Sequence, residues 1–127
     1  MSVDLWIHRA EFSAGRRSSR DARSYVSNHL VAHDLSRLVD DVQLVTTELV
    51  TNAMRHAQTP FTVILREFKG TVRLEVLDGC PVQPILVVAG SEDDGGRGIS
   101  IVDAVSREWG VTSRGAAGKS VWAEFST

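Results

Sequence analysis

The 127-residue sequence predicts an α+β fold: a two-layer sandwich in which a mostly antiparallel, mixed sheet carries about three helices on one face. One observation is the order of the elements, which reads strand, helix, helix, two strands, loop, helix, two strands. The other is that short loops join the strands in two places, and hairpins of this kind make antiparallel neighbours. A chain of this length is typical of one core, so we expect a single domain over residues 1–127.

The composition excludes several classes of function. Hydrophobic residues make up 43% and charged residues 24% of the chain, a balance typical of a folded protein. The net charge of −2 disfavours a direct contact with nucleic acid, which usually needs a strongly basic surface. A single cysteine, Cys80, precludes an internal disulfide, and no apolar run is long enough for a signal peptide or a membrane span. We therefore expect a cytoplasmic protein with no membrane contact.

The first strand and the first helix are predicted from residues 3–12 and residues 16–32. The strand mixes apolar and polar residues and ends at a Ser-Ala-Gly turn. In the helix, Ala22, Val26 and Leu30 recur every four residues, which indicates one buried face.

The first helix also carries two histidines and the one basic cluster of the chain. His29 and His33 have the spacing of metal ligands, but no third ligand is obvious, so we expect them to cover an edge of the core. The arginines are expected to form a solvated helix face, with a partner or phosphate patch as the alternative: Arg16, Arg17, Arg20 and Arg23.

A second helix is predicted over residues 38–58, with Ser36 as its N-cap and the Thr-Pro pair at residues 59–60 as its end. Glu48 and Asn52 are four residues apart and lie along one margin of its apolar stripe. They could be ordinary surface or the wall of a polar cleft. The stripe itself consists of Leu38, Val42, Val45, Leu49 and Ala53.

Two strands follow, over residues 61–68 and 71–78, joined by a turn at Lys69-Gly70. In the second strand Val72, Leu74 and Val76 face one way, and Asp78 is next in that series. A buried carboxylate is costly without hydrogen-bond partners, so Asp78 either caps the following turn or meets another donor.

The rest of the chain begins irregularly and ends in a helix and two strands. The sequence Gly-Gly-Arg-Gly at residues 95–98 precedes a predicted helix over residues 99–105. Glycines directly before a helix can bring backbone N–H groups close to an anion. The last two strands are expected over residues 109–113 and 119–125, with a glycine-rich hairpin loop between them.

Three motifs occur in a familiar order: ELVTNAMRHA at residues 48–57, VLDGCP at residues 76–81 and GRGISIV at residues 96–102. Together with the closing GKSVWAEF at residues 118–125, they resemble the N, G1 and G2 boxes and the last strand of the Bergerat ATP-binding fold. This fold is shared by histidine kinases and gyrase. Within this GHKL family, the sequence is most similar to the bacterial anti-sigma-factor serine/threonine kinases.

The resemblance implies a role for each matching residue. Asn52 matches the asparagine whose side-chain oxygen binds Mg²⁺, and Glu48 matches the carboxylate proposed as the general base. Asp78 matches the aspartate that accepts a hydrogen bond from the adenine amino group. Gly96 and Gly98 match the glycines that surround the phosphates, and residues 82–97 correspond to the ATP lid.

Other positions allow two interpretations or depart from the family pattern. Arg97, inside the glycine motif, is expected either to reach a phosphate or to point to solvent. Cys80 stands where serine is common, and Lys119 stands where the superfamily has a threonine beside the adenine, with Ser120 as a possible substitute for it. The Lys119 departure removes the threonine hydroxyl through which the family selects adenine.

The resemblance implies an enzyme, a Mg²⁺- and ATP-dependent serine/threonine protein kinase acting on an anti-anti-sigma partner. In this scheme the protein also holds a sigma factor inactive, and it can form a homodimer. The alternative is a catalytically weak or inactive ATP-binding regulator that works by binding a sigma factor or its antagonist. Intact Glu48 and Asn52 favour the enzyme, whereas Cys80 and Lys119 leave the regulator open.

Overall fold

The computed structural model describes residues 3–56, 59–79 and 94–127. Five strands and three α-helices make up the regular structure of this part of the chain. The strands are β1 (Trp6–Phe12), β2 (Phe61–Phe68), β3 (Thr71–Asp78), β4 (Glu108–Ser113) and β5 (Lys119–Ser126). The helices are α1 (Ser18–Ala32), α2 (Val39–His56) and α3 (Asp94–Val105). No helix within these residues is both long enough and apolar enough to cross a membrane.

The strands form one sheet in the order β1-β2-β3-β5-β4, and each of the four pairings is antiparallel. This arrangement confirms the predicted α+β class. The hairpin between β2 and β3 turns on Lys69 and Gly70, whose φ values are 45° and 74°. Two consecutive positive φ values are the geometry of a type I′ turn, which matches the twist of paired strands and explains why the bounds of both strands follow directly from the sequence.

The core lies between the sheet and the helices. The inward faces of β2, β3 and β5 meet the apolar stripes of α1 and α2, and α2 also contacts α3. The predicted buried positions of α1, α2 and β3 are fully or almost fully buried: Ala22, Val26, Leu30, Val42, Val45, Leu49, Ala53, Val72, Leu74 and Val76. Leu38 packs against this cluster while partly buried.

Two helix starts differ from the prediction. Ser36 does not cap α2, because it opens a short 3-10 turn (Ser36–Leu38) that runs directly into the helix. Leu35, the residue before this turn, is buried, and its carbonyl accepts a hydrogen bond of 3.0 Å from Leu38 N–H. The third helix begins at Asp94 rather than near residue 99, so its glycines lie inside the helix instead of before it. Each glycine costs about 1 kcal/mol of helix propensity, but the packing of α3 on α2 can outweigh that local preference.

The opposite face of the sheet carries charged and aromatic side chains in register. Glu124 accepts from Arg73 Nη1 at 3.0 Å and from Arg107 Nη2 at 3.3 Å. The Arg73 guanidinium also lies 4.2 Å from the centre of the Trp122 ring. Trp122 lies directly over Gly110, where an added Cβ would meet the indole Cζ2 atom at 2.6 Å. A glycine is therefore required in β4 so that the indole can lie flat across the sheet.

Candidate functional site

Helix α2 places Glu48 and Asn52 on its polar margin, one turn apart. Asn52 is 7% exposed, and its Oδ1 atom is buried without a hydrogen-bond partner among the described residues. Thr46, on the same helix, is fully buried, but its hydroxyl donates to the Val42 carbonyl at 2.7 Å. A buried acceptor without a donor costs about 1–3 kcal/mol, and such groups are rare in native proteins. The Asn52 oxygen could therefore bind a cation or accept a hydrogen bond from a ligand.

Glu48 is half-buried, and no side chain in the described ranges holds its carboxylate in a hydrogen bond or an ion pair. Helix α2 contacts both β3, which ends at Asp78, and α3, which carries the glycine motif. The sequence left two interpretations open for Glu48 and Asn52, surface or cleft. The burial of Asn52 excludes the simple surface interpretation for that residue.

The third predicted residue, Asp78, ends the inward face of β3 and is 3% exposed. Lys119, directly opposite it on β5, is fully buried and places its Nζ atom 2.7 Å from Asp78 Oδ2. A buried charge needs a partner of opposite charge, and the ammonium and the carboxylate are such partners for each other. The sequence drew attention to Lys119 only as a departure from a family pattern. It gave no sign of the pairing, since the two residues are 41 positions apart in the chain.

Gly118, immediately before Lys119, is a second feature that the sequence analysis missed. Its φ and ψ values are 120° and −146°, a region that glycine alone adopts readily. A Cβ atom built on Gly118 would lie 1.9 Å from the Asp78 carbonyl oxygen and 2.8 Å from Gly79 Cα. The two backbones are therefore in contact at the end of β3. The sequence signal for this contact is a glycine placed directly before the strand that pairs with Asp78.

The glycine motif lies in the first turns of α3. The first N–H groups of a helix have no partner inside it, so the backbone amide of Gly96, the third residue of α3, remains available to an anion. Gly98 is the fifth residue, and in a regular helix its N–H donates to the Asp94 carbonyl. The predicted place of Gly96 and Gly98 around the phosphates stays a prediction. The Arg97 side chain, Cys80 and residues 82–93 of the predicted lid lie outside the described part.

A separate cluster joins β1 to α1. His8 Nε2 lies 2.9 Å from His33 Nε2, and the His8 ring stacks on His29 with 3.7 Å between ring centres. Trp6 covers His33 at 4.0 Å, nearly parallel to it. His29 and His33 thus cover an edge of the core as expected, but the contribution of His8 was missed because β1 is distant in sequence. No group of three or more histidine, cysteine, aspartate or glutamate side chains in residues 3–56, 59–79 and 94–127 is arranged to hold a metal ion.

The environment of His8 and His29 favours neutral imidazoles. Burial lowers the pKa of His8 below its usual value, and the charge of His33 lowers it further. Burial is also the main cause that lowers the pKa of His29, followed by the charges of His8 and His33. Because protonation of both His8 and His29 would place like charges within contact distance, these two rings pack best uncharged.

Comparison with known proteins gives one positive finding. The family model described as a histidine kinase-like ATPase domain matches residues 12–125, which is nearly the whole chain. No curated protein matches the sequence.

Proposed function

This chain belongs to the histidine kinase-like ATPase family, and we propose that it binds ATP with Mg²⁺ and phosphorylates a serine or threonine of an anti-anti-sigma protein. Membership of the family implies ATP binding. The observation that carries the finer proposal is the buried Asn52 Oδ1 atom, which has no hydrogen-bond partner in the described part of the chain and lies one turn after a half-buried Glu48.

Asn52 supports the Mg²⁺ part of the proposal. Mg²⁺ prefers oxygen ligands and shares its coordination sphere between a few protein atoms, waters and phosphates. The Asn52 side-chain oxygen is a neutral atom of the type that ligates Mg²⁺, and it has no partner among the described residues, so it fits this role. When bound, the ion would neutralise charge on the β- and γ-phosphates.

Glu48 supports the phosphoryl-transfer part. In the proposed step, a serine or threonine oxygen of the partner forms a bond to the γ-phosphorus while the bond to the ADP oxygen breaks. The hydroxyl proton passes to the Glu48 carboxylate, which acts as the general base. A half-buried carboxylate that no described side chain engages is able to accept this proton.

The remaining site residues would hold the nucleotide. Asp78 would accept a hydrogen bond from the adenine amino group. The backbone of Gly96 and Gly98 in the first turns of α3 would lie around the phosphates, where the helix dipole favours negative charge, and Arg97 would contact a phosphate. The protein would act in the bacterial cytoplasm, where a sigma factor and its antagonist compete for it, and it would form a homodimer there.

The ion pair between Lys119 and Asp78 favours a second candidate function. If Lys119 keeps adenine from Asp78, the chain would regulate by partner binding alone, with weak or no catalysis. The two candidates differ in one measurable property, the appearance of phosphoserine or phosphothreonine on a partner.

The Mg²⁺ assignment is tested by titration calorimetry of ATP with and without Mg²⁺. Asn52→Ala should remove the part of the ATP affinity that depends on Mg²⁺ and leave the part that does not. Asn28→Ala is the matched control, since Asn28 is the other asparagine of the chain and is exposed on α1. Equal Mg²⁺ dependence in wild type and Asn52→Ala would refute the assignment.

The role of Glu48 is tested by transfer of radiolabel from γ-labelled ATP to proteins that co-purify with the chain from its native cell. Glu48→Gln should bind ATP normally but transfer label at least 100-fold more slowly, since general bases contribute about 10²–10⁴-fold. Glu108→Gln, an exposed change of the same chemistry, should behave as wild type. Labelling at the wild-type rate in Glu48→Gln would exclude Glu48 as the base, and no labelling by wild type would favour the regulator.

A further inference from the structure

Lys119 has more hydrogen-bond donors than described partners. Its ammonium carries three N–H donors, and within residues 3–56, 59–79 and 94–127 its one hydrogen-bond acceptor is Asp78 Oδ2 at 2.7 Å. The residue is fully buried, so bulk water does not supply the other acceptors. The side chain lies on the inward face of β5, beside the aspartate expected to bind adenine. A base that reaches Asp78 therefore comes within reach of Lys119 as well.

Displacement of Lys119 by the base would be costly. Removing one member of a buried ion pair leaves an uncompensated charge in a medium that solvates it poorly. A carboxylate has about four acceptor positions, so Asp78 can accept a further donor without releasing the ammonium. We therefore expect Asp78 to bind Lys119 and the base at the same time. The pair would then present an acceptor and a donor side by side to the ligand.

An acceptor beside a donor is the complement of an adenine edge. Adenine carries its N6 amino donor next to a ring-nitrogen acceptor, N7 on one side and N1 on the other. Guanine has the O6 acceptor in place of the amino group, which would face the Asp78 carboxylate without a shared proton. An ammonium donates only, whereas a hydroxyl both donates and accepts, so a lysine here discriminates more strictly than a threonine.

We propose that Lys119 is a base-reading residue: its ammonium donates to the adenine ring nitrogen beside the amino group that Asp78 accepts. The inference rests on the proposed ATP site and deepens it. The Lys119 departure from the family pattern then strengthens adenine selectivity instead of weakening it.

Nucleotide analogues test this on the unmodified protein. ATP, 1-deaza-ATP, 7-deaza-ATP and GTP are titrated into the wild-type chain by calorimetry. One of the two deaza analogues should bind about 10- to 100-fold more weakly than ATP, as expected for the loss of a hydrogen bond to a charged group. GTP should bind more weakly still. Equal affinity for ATP and both deaza analogues would overturn the inference while leaving ATP binding intact, and failure of wild type to bind ATP at all would refute both.

Substitution of Lys119 provides a second test. In Lys119→Met the difference between ATP and the weaker deaza analogue should disappear, whereas Lys69→Met, at the exposed turn between β2 and β3, should keep it. Tighter ATP binding by Lys119→Met than by wild type would show that the lysine blocks the base and would overturn the inference. If Lys119→Met does not fold, Lys119→Arg replaces it, because arginine keeps the charge but moves the N–H donors. The difference in affinity between ATP and the weaker deaza analogue should be smaller in that variant.

Discussion

Replacing Gly118 by alanine should damage both the fold and the candidate site. The added Cβ would lie 1.9 Å from the Asp78 carbonyl oxygen, so β3 and β5 must separate at this point. The backbone conformation of Gly118 costs a non-glycine residue about 1–3 kcal/mol, and overpacking adds about 1–3 kcal/mol. We therefore expect the free energy of unfolding to fall by about 2–6 kcal/mol, a large part of the 5–15 kcal/mol that is typical of a domain.

The measurement is urea unfolding followed by far-UV circular dichroism, with Gly115→Ala as the control. Gly115 lies in the same loop and also has a positive φ, 63°, but a Cβ there meets no atom of the described residues within 4 Å. Gly115→Ala should cost only the strain of a left-handed conformation, about 1–2 kcal/mol. At an m-value of about 2 kcal/mol/M, the midpoint of Gly118→Ala should fall by about 1–3 M.

Two results would contradict this reasoning. If Gly118→Ala were no less stable than Gly115→Ala, the close contact with the Asp78 carbonyl would not exist in the folded protein. If Gly118→Ala folded and bound ATP as tightly as wild type, the position of Asp78 would not matter to the nucleotide.

Two further perturbations follow from the same structure. Because the pKa values of His8 and His29 are lower in the folded than in the unfolded chain, stability should be unaffected by these groups above pH ~6.5 and should decrease as the pH falls below it. Thermal midpoints from about pH 7.5 to 5.5 measure this loss, and it should be smaller in a His8→Gln/His29→Gln double variant. Gly110→Ala should cost about 1–3 kcal/mol because it pushes the Trp122 indole off the sheet, and Trp122→Leu in the same chain should relieve most of that cost.

Each of these perturbations has an outcome that contradicts it. A thermal midpoint that stays constant over this pH range would mean that the histidine cluster accepts protons as easily as the unfolded chain does. Additive losses in the Gly110→Ala/Trp122→Leu pair would mean that the two residues are not in contact.

The parts of the fold that local pattern decides were predictable. β2 and β3 begin and end where the alternation and the Lys69-Gly70 turn place them, since a two-residue turn fixes both register and bounds. The start of α3 was not predictable in this way. Glycine preference indicated a loop, and contact with α2 outweighs it.

The candidate site was predictable in its residue types but not in its pairings. Periodicity placed Glu48 and Asn52 on one margin of α2 and Asp78 on the inward face of β3, as observed. The ion pair with Lys119 depends on a register between strands 41 residues apart, and the contact of His8 with α1 depends on which strand forms the sheet edge. Neither relation leaves a periodic signal in the sequence.

The direct pairing of β3 with β5 has a consequence for how this domain can vary. The chain leaves the sheet after Asp78, returns to it as the edge strand β4 and then runs back as β5, where the ladder sets Lys119 opposite Asp78. Closing a loop costs only about 0.6 kcal/mol more for each doubling of its length. A change of length between Gly79 and Asp94 therefore costs the domain little, whereas a one-residue slip at Asp78 would turn its side chain to the face of the sheet opposite Lys119. Variation among proteins of this kind should accumulate in that segment and spare the two strands beside it.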